Sequence, residues 1–213
     1  MSNSAVSLIL VTGKEHNMNY LVQGRDVDKS DHERKDLFQS GNYPFYWPGA
    51  VSLFGGGIEE GETWENAFIR EIKEELGLDL SKEIPNMDYR VYNWKKDTIQ
   101  ILNEANDFFQ GNVPGFLGFN LDEKIPSCAL GNDRKKFRNA TYRDWLYGRE
   151  TDYYLAANIG KPDLKIREGV GLNWSPHWLV RAMTMVPVDK LAILDDMTKR
   201  IKSGELEIKL KKK

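Results

Sequence analysis

At 213 residues, 40% hydrophobic and 29% charged, the chain can bury one sizeable core and is too apolar for a disordered segment. Thirty Lys and Arg against thirty-two Asp and Glu leave a net charge of -2, which in bulk favours neither nucleic acid nor an anionic membrane. The lone cysteine, Cys128, excludes an internal disulfide framework and fits a reducing compartment. The apolar N-terminal run is too short to span a bilayer and no basic region precedes it, so the default expectation is cytoplasm, without a membrane partner.

In chain order, SAVSLILVT and YLVQGR flank the polar turn GKEHNMN and predict a β-hairpin. Residues 26–44 are polar and rich in turn formers, an expected insertion between strands. FYWPGAVSLF predicts a strand that stops at Gly55, Gly56 and Gly57. From Thr63 to Leu76 the pattern is helical, with Thr63 as N-cap and Gly77 at the C-terminal cap. At about 100° per residue, Phe68, Ile69, Ile72 and Leu76 share the arc expected to be buried, and Glu71, Glu74 and Glu75 form a carboxylate stripe beside it. MDYRVYNWKKDTIQILNE alternates as one or two strands, and TDYYLAANIG as another. Residues 104–150, with the basic segment DRKKFRNATYRDW, are expected to be a second insertion. SPHWLVRAM predicts a short helix, VDKLAILDDMTKRIKSG a longer closing one, and KLKKK a frayed tail. The expectation is one domain over 1–213, interrupted by the two insertions.

The stretch FGGGIEEGETWENAFIREIKEELGL concentrates carboxylates that the overall charge does not require. Glu71, Glu74 and Glu75 stand at i, i+3 and i+4, so their side chains meet within one turn. Three such groups repel one another unless a cation sits among them, and hard divalent ions such as Mg²⁺ or Mn²⁺ take oxygen ligands of this kind. Arg70, four residues before Glu74, is placed to pair with a carboxylate and fix its geometry. Glu62, at the loop-to-helix junction, is placed to accept from helix N-terminal amides or from Arg70, a structural role first and a catalytic one second. The bland alternative is a solvated Glu-rich face with i,i+4 pairs.

Read by spacing, Gly56, Glu62 and Arg70 to Leu78 resemble the Nudix box, G-x5-E-x7-R-E-U-x-E-E-x-G-U with U aliphatic, at every specified position. The paired glycines follow Phe54 where the family has proline, and Gly57 is an additional glycine. A later segment, REGVGLNW from Arg167 to Trp174, resembles the Glu-Gly…Trp segment of MutT-like members. The resemblance implies an α+β Nudix fold, a mixed β-sheet sandwiched between helices. It also implies metal binding by Glu71, Glu74, Glu75 and Glu168, with the Gly55 carbonyl as a further ligand, and catalysis by Glu71, Glu75 and Glu168 with Arg70 and Glu62. Either Glu71 or Glu168 would be the general base. Arg25, Trp47, Gly56 and Asp189 are the substrate-binding candidates, Asp189 lying where MutT-like enzymes read a purine edge, with capping of the final helix as its alternative role. Tyr46 and Trp174 join Trp47 as candidates for stacking on a base.

The implied function is divalent-metal-dependent hydrolysis of a diphosphate bond in a nucleoside diphosphate linked to another group. A nucleoside triphosphate stands ahead of nucleotide sugars and ADP-ribose on the placements of Glu168 and Asp189. The alternative from a different class is a non-catalytic Nudix-fold module that binds RNA or senses a ligand, motivated by the basic segment and tail. Expected partners are a nucleotide substrate and not nucleic acid; a homodimer is left open. His16, His32 and His177 are scattered, with no zinc spacing and no triad.

Overall fold

A computed structural model of the chain describes residues 4–24, 51–80, 88–93, 100, 104, 122, 141, 151–159, 164, 167 and 172–208 apart from 184 and 186. The 26–44 insertion, nearly all of the 104–150 insertion, the basic tail, Arg25, Trp47 and Glu168 lie outside these residues.

The expected hairpin forms from β1 (Ala5–Thr12) and β2 (Asn19–Gly24), antiparallel across a short 3-10 turn at Glu15–Asn17. β3 (Val51–Ser52) pairs antiparallel with β2, and β4 (Asp88–Asn93) with β5 (Thr151–Asn158). β5 runs parallel to β1 from Ala5↔Asp152 to Val11↔Asn158, which makes the sheet mixed, in the order β3-β2-β1-β5-β4. β6 (Leu172–Pro176) adds to β2. This last strand is not evident in the sequence, because a five-residue strand beside glycines has too little alternation to declare itself before its partner is known. The stretch expected to give one or two strands gives β4. Gln100 and Glu104 further on are helical and joined by a 2.9 Å side-chain hydrogen bond.

Alternation along β1 places helices on both faces of the sheet. Leu8 and Leu10 pack with Phe68, Ile72 and Leu76 of α1 (Trp64–Leu76), while Ile9 and Val11 pack with Leu191, Leu194 and Met197 of α3 (Pro187–Ser203). The sandwich implied by the resemblance is the observed fold. Among the described residues no helix is long and apolar enough to cross a membrane.

α1 starts and stops where its residues dictate. Thr63 Oγ1 accepts from the Asn66 amide at 3.3 Å, and Gly77, at φ 67, donates its amide to the Lys73 carbonyl at 3.0 Å. Trp64 stacks on Tyr153 of β5 with ring centroids 5.4 Å apart, anchoring the first turn to the sheet. Ile69, expected in the core, is 41% exposed, whereas Ala67 and Glu75 are buried. The buried arc is centred on Phe68 and includes Glu75, leaving Ile69 about 100° away at its margin. One box carboxylate therefore belongs to the apolar face rather than beside it.

Behind the sheet, α2 (His177–Ala182) and α3 form a corner in which Lys190 Nζ donates to the carbonyls of Val180, Arg181 and Met183, closing the C-terminal end of α2. Burial, with the Arg181 charge nearby, pushes the Lys190 ammonium down to about 8. Deeper in that face, the Tyr20 hydroxyl and Arg200 Nε both donate to Asp196 Oδ2, at 3.0 and 2.7 Å, and Asp196 is fully buried. Removing one partner of a buried ion pair leaves the other charge uncompensated. Asp196→Ala is thus expected to lower the unfolding free energy by about 3–5 kcal/mol in denaturant titration. A loss below ~1 kcal/mol would show that the pair does not anchor α3.

Candidate active site

The glycine loop is laid along β1 by backbone hydrogen bonds. The Leu8 amide donates to the Phe54 carbonyl at 2.8 Å, the Val6 amide to Gly56 at 2.9 Å, and the Ile58 amide back to Ser4 at 3.2 Å. Gly55 sits at φ 135, and a Cβ there would run into the Val6 carbonyl, so the close approach demands glycine. Gly56 leaves room for a side chain: a Cβ on it would meet the Glu71 carboxylate, which would have to move aside.

The loop meets α1 through three residues. Glu75 Oε2 accepts from the Gly55 amide at 2.6 Å, a short bond suited to an ionised acceptor on the buried face. Arg70 grips Glu62 with its fork, Nε to Oε1 at 3.0 Å and Nη2 to Oε2 at 2.8 Å. Its Nη1 donates to Glu71 Oε1 at 2.7 Å and lies 3.7 Å from Glu74, and Nη2 also donates to the Gly57 carbonyl at 3.0 Å. Glu62 in turn accepts from the Glu59 amide at 3.0 Å, which bends the loop back before the helix begins. These bonds hold the Glu62 carboxyl below the usual carboxylate range, chiefly through Arg70 and then through the Glu59 amide. The Arg70 guanidinium is pushed upward, most of all by Glu62 and, against its own partial burial, by Glu71.

The sequence candidates Glu62, Arg70, Glu71, Glu74, Glu75, Gly55 and Gly56 thus meet at one junction of loop and helix. Glu71 is mostly buried and Glu74 is 56% exposed, so the carboxylates pass from the core interface to solvent. Among the described residues, the group of three whose ligand atoms lie within 4.8 Å of one another is Glu15, His16 and Glu207, exposed and remote in sequence from the box. The donor set of α1 nevertheless suits a hard divalent cation: three carboxylates graded from buried to exposed, with a glycine cradle over Glu71. A cavity of about 550 Å³ opens at the N-terminal end of α1, lined by Glu59, Glu60, Trp64 and Tyr153 among others and sharing Glu62 with the junction.

Asp189 stands in the first turn of α3, 5% exposed, with Oδ2 accepting from the Leu53 amide at 3.0 Å. It therefore steadies the chain two residues before the glycine loop. Trp174 packs, partly buried, against the α1 face of the sheet. Arg25, Trp47 and Glu168 lie outside the described residues. The residue before Glu168 is described: the Arg167 amide donates to the Glu75 carbonyl at 2.9 Å, and its guanidinium lies where a Cβ on Gly77 would meet it. Sequence reading missed Gln23, whose Nε2 donates to the Leu53 carbonyl at 3.1 Å and to Glu75 Oε1 at 3.4 Å. The only signal was one polar residue in the apolar alternation YLVQG.

A family model described as NUDIX domain matches residues 1–112, which contain the loop, α1 and all of the contacts between them. The chain belongs to the NUDIX family and, with every specified box position filled, is a Nudix hydrolase. Among solved structures it is similar to the NUDIX domain of Shewanella oneidensis NrtR, cocrystallised with ADP ribose, at 15% identity and TM-score 0.50, covering 94% of this chain and 89% of that one. It is also similar to the E. coli dihydroneopterin triphosphate pyrophosphohydrolase, at 16% identity, TM-score 0.43 and coverage of 90% and 92%. A C. elegans Ap4A hydrolase follows at 11%, 0.46, and 93% and 98%. The first likeness bears on the fold. No curated protein sequence matches the chain.

Arg70→Lys keeps the charge but cannot reproduce a fork on Glu62 with a third arm to Glu71. Hydrolytic turnover is expected to fall about 10–100-fold, with little change in the thermal midpoint. Turnover equal to the parent would mean that the clamp does not set the carboxylate geometry.

Proposed function

We propose that the protein hydrolyses a diphosphate bond in a nucleoside diphosphate joined to another group, dependent on Mg²⁺ or Mn²⁺ held by Glu71, Glu74 and Glu75, with Glu168 and the Gly55 carbonyl completing the ligand set. The observation that carries this is the Arg70 clamp, which fixes Glu62 and Glu71 beneath the glycine loop while Glu75 is fixed by the Gly55 amide. The cation, when bound, neutralises the diphosphate and acidifies water at phosphorus. The protein supplies the orientation. Gly56 lets backbone and substrate approach Glu71 closely, and Arg70 keeps Glu71 directed into that space. Glu71 or Glu168 takes the proton from the attacking water. The Arg167 amide bond to the Glu75 carbonyl supports the role given to Glu168, since it ties the neighbouring residue to the last turn of α1.

A nucleoside triphosphate heads the substrate classes, on the MutT-like placement of Glu168. A nucleotide sugar or ADP-ribose is the second reading, favoured by the ADP ribose in the similar NrtR domain. A panel of nucleoside triphosphates, nucleotide sugars, ADP-ribose and dinucleoside polyphosphates, assayed with Mg²⁺ and with Mn²⁺, is expected to give turnover of at least one class that chelator abolishes. Glu75→Gln, which keeps the size of the side chain, is expected to remove most of that activity without unfolding the protein. No turnover across the panel, joined to steeply salt-dependent RNA binding, would favour the binding-module alternative.

A further inference from the structure

We propose that Gln23 is a positioning residue of the active site, acting through Glu75 and the strand that enters the glycine loop; this rests on the metal-ligand role proposed for Glu75. Gln23 lies near the end of β2, paired in register with Ser52 of β3 and Leu172 of β6, so it is flanked by strands on both sides. Alternation puts it on the same face as Leu21, the face that packs against α1, and it is only 4% exposed. An apolar side chain would satisfy that position from packing alone. A buried primary amide is costly there unless its hydrogens find acceptors.

It finds two. Nε2 donates to the Leu53 carbonyl at 3.1 Å and to Glu75 Oε1 at 3.4 Å, so both hydrogens of the amide are directed at acceptors. Because both partners are acceptors, only the NH₂ end of the side chain can face them, and the orientation of the amide is set by chemistry. The opposite oxygen of Glu75 accepts from the Gly55 amide at 2.6 Å. The carboxylate is therefore held at both ends, once from β2 and once from the loop. Leu53 is likewise held twice, its carbonyl by Gln23 and its amide by Asp189 Oδ2 at 3.0 Å. Gln23 thus links two things that must keep register: the rotamer of Glu75 on α1, and the entry of the chain into Gly55 and Gly56. Partners of this kind behind a ligating carboxylate set its orientation and basicity.

The test compares wild type, Gln23→Met and Glu75→Gln as full chains. Mn²⁺ affinity is read by electron paramagnetic resonance of free ion without substrate, alongside kcat, KM and thermal unfolding. Gln23→Met is expected to weaken Mn²⁺ binding about 10-fold and to lower kcat by a similar factor, with KM nearly unchanged. Should Gln23→Met fail to fold, Gln23→Asn keeps an amide but is about 1.5 Å shorter, too short to serve both acceptors, and the same losses are expected. Weakened Mn²⁺ binding in Glu75→Gln with parental binding and kcat in the Gln23 variant would overturn the positioning role alone. A Gln23 variant that loses only thermal stability would also overturn it. Parental Mn²⁺ binding in both variants would overturn the Glu75 ligand reading and this inference with it.

Discussion

A carboxylate on the apolar face of a helix is the constraint around which this protein is arranged. Glu75 sits in the arc that packs α1 onto the sheet, where an unpaired charge would be expelled or protonated. Its carboxylate accepts from the Gly55 amide at 2.6 Å, and that amide is presented by a loop laid along β1 with Gly55 at φ 135, a conformation L side chains rarely adopt. Gln23 and Asp189 then hold Leu53, fixing the chain that enters the loop. Apolar packing presses α1 against the sheet, and these polar contacts fix its position along it.

Charge is divided across the same junction by Arg70. Its fork takes Glu62 and its third arm takes Glu71, so the guanidinium relieves carboxylate repulsion and closes the loop onto the helix at once. Glu71 and Glu74 are left facing the space beneath Gly56 and solvent. Glu62 takes the fork of Arg70 and the Glu59 amide, whereas Glu71 takes its third arm and Glu74 stands 3.7 Å from it, 56% exposed. Behind the sheet, the Tyr20–Asp196–Arg200 network and Lys190 hold α2 and α3, and so indirectly Asp189, against the opposite face.

Local signals in the sequence foretold most of this architecture. Caps at Thr63 and Gly77, apolar alternation in β1, and the i, i+3, i+4 spacing of the box are short-range features, and each leads to an observed element. What was not legible depends on distant pairings. β6 becomes a strand because β2 is there to receive it, and Gln23 acquires meaning only when Leu53 and Glu75 close on it from 30 and 52 residues away. Glu75 looked like one more member of a polar stripe because a helical wheel does not know where a sheet will dock. The grouping of Glu15, His16 and Glu207 was invisible for the same reason, as the C-terminal segment returns to the hairpin turn through the Glu15 amide bond to the Glu205 carbonyl.

That exposed grouping supplies the competing site in the most direct test of the central claim, that the box carboxylates hold the divalent cation. Crystals grown with Mn²⁺ and measured at its absorption edge would locate the ion by anomalous scattering. The account predicts a peak ligated by Glu71, Glu74 and Glu75 beside the Gly55–Gly56 loop. A peak confined to Glu15, His16 and Glu207, with none on α1, would contradict it.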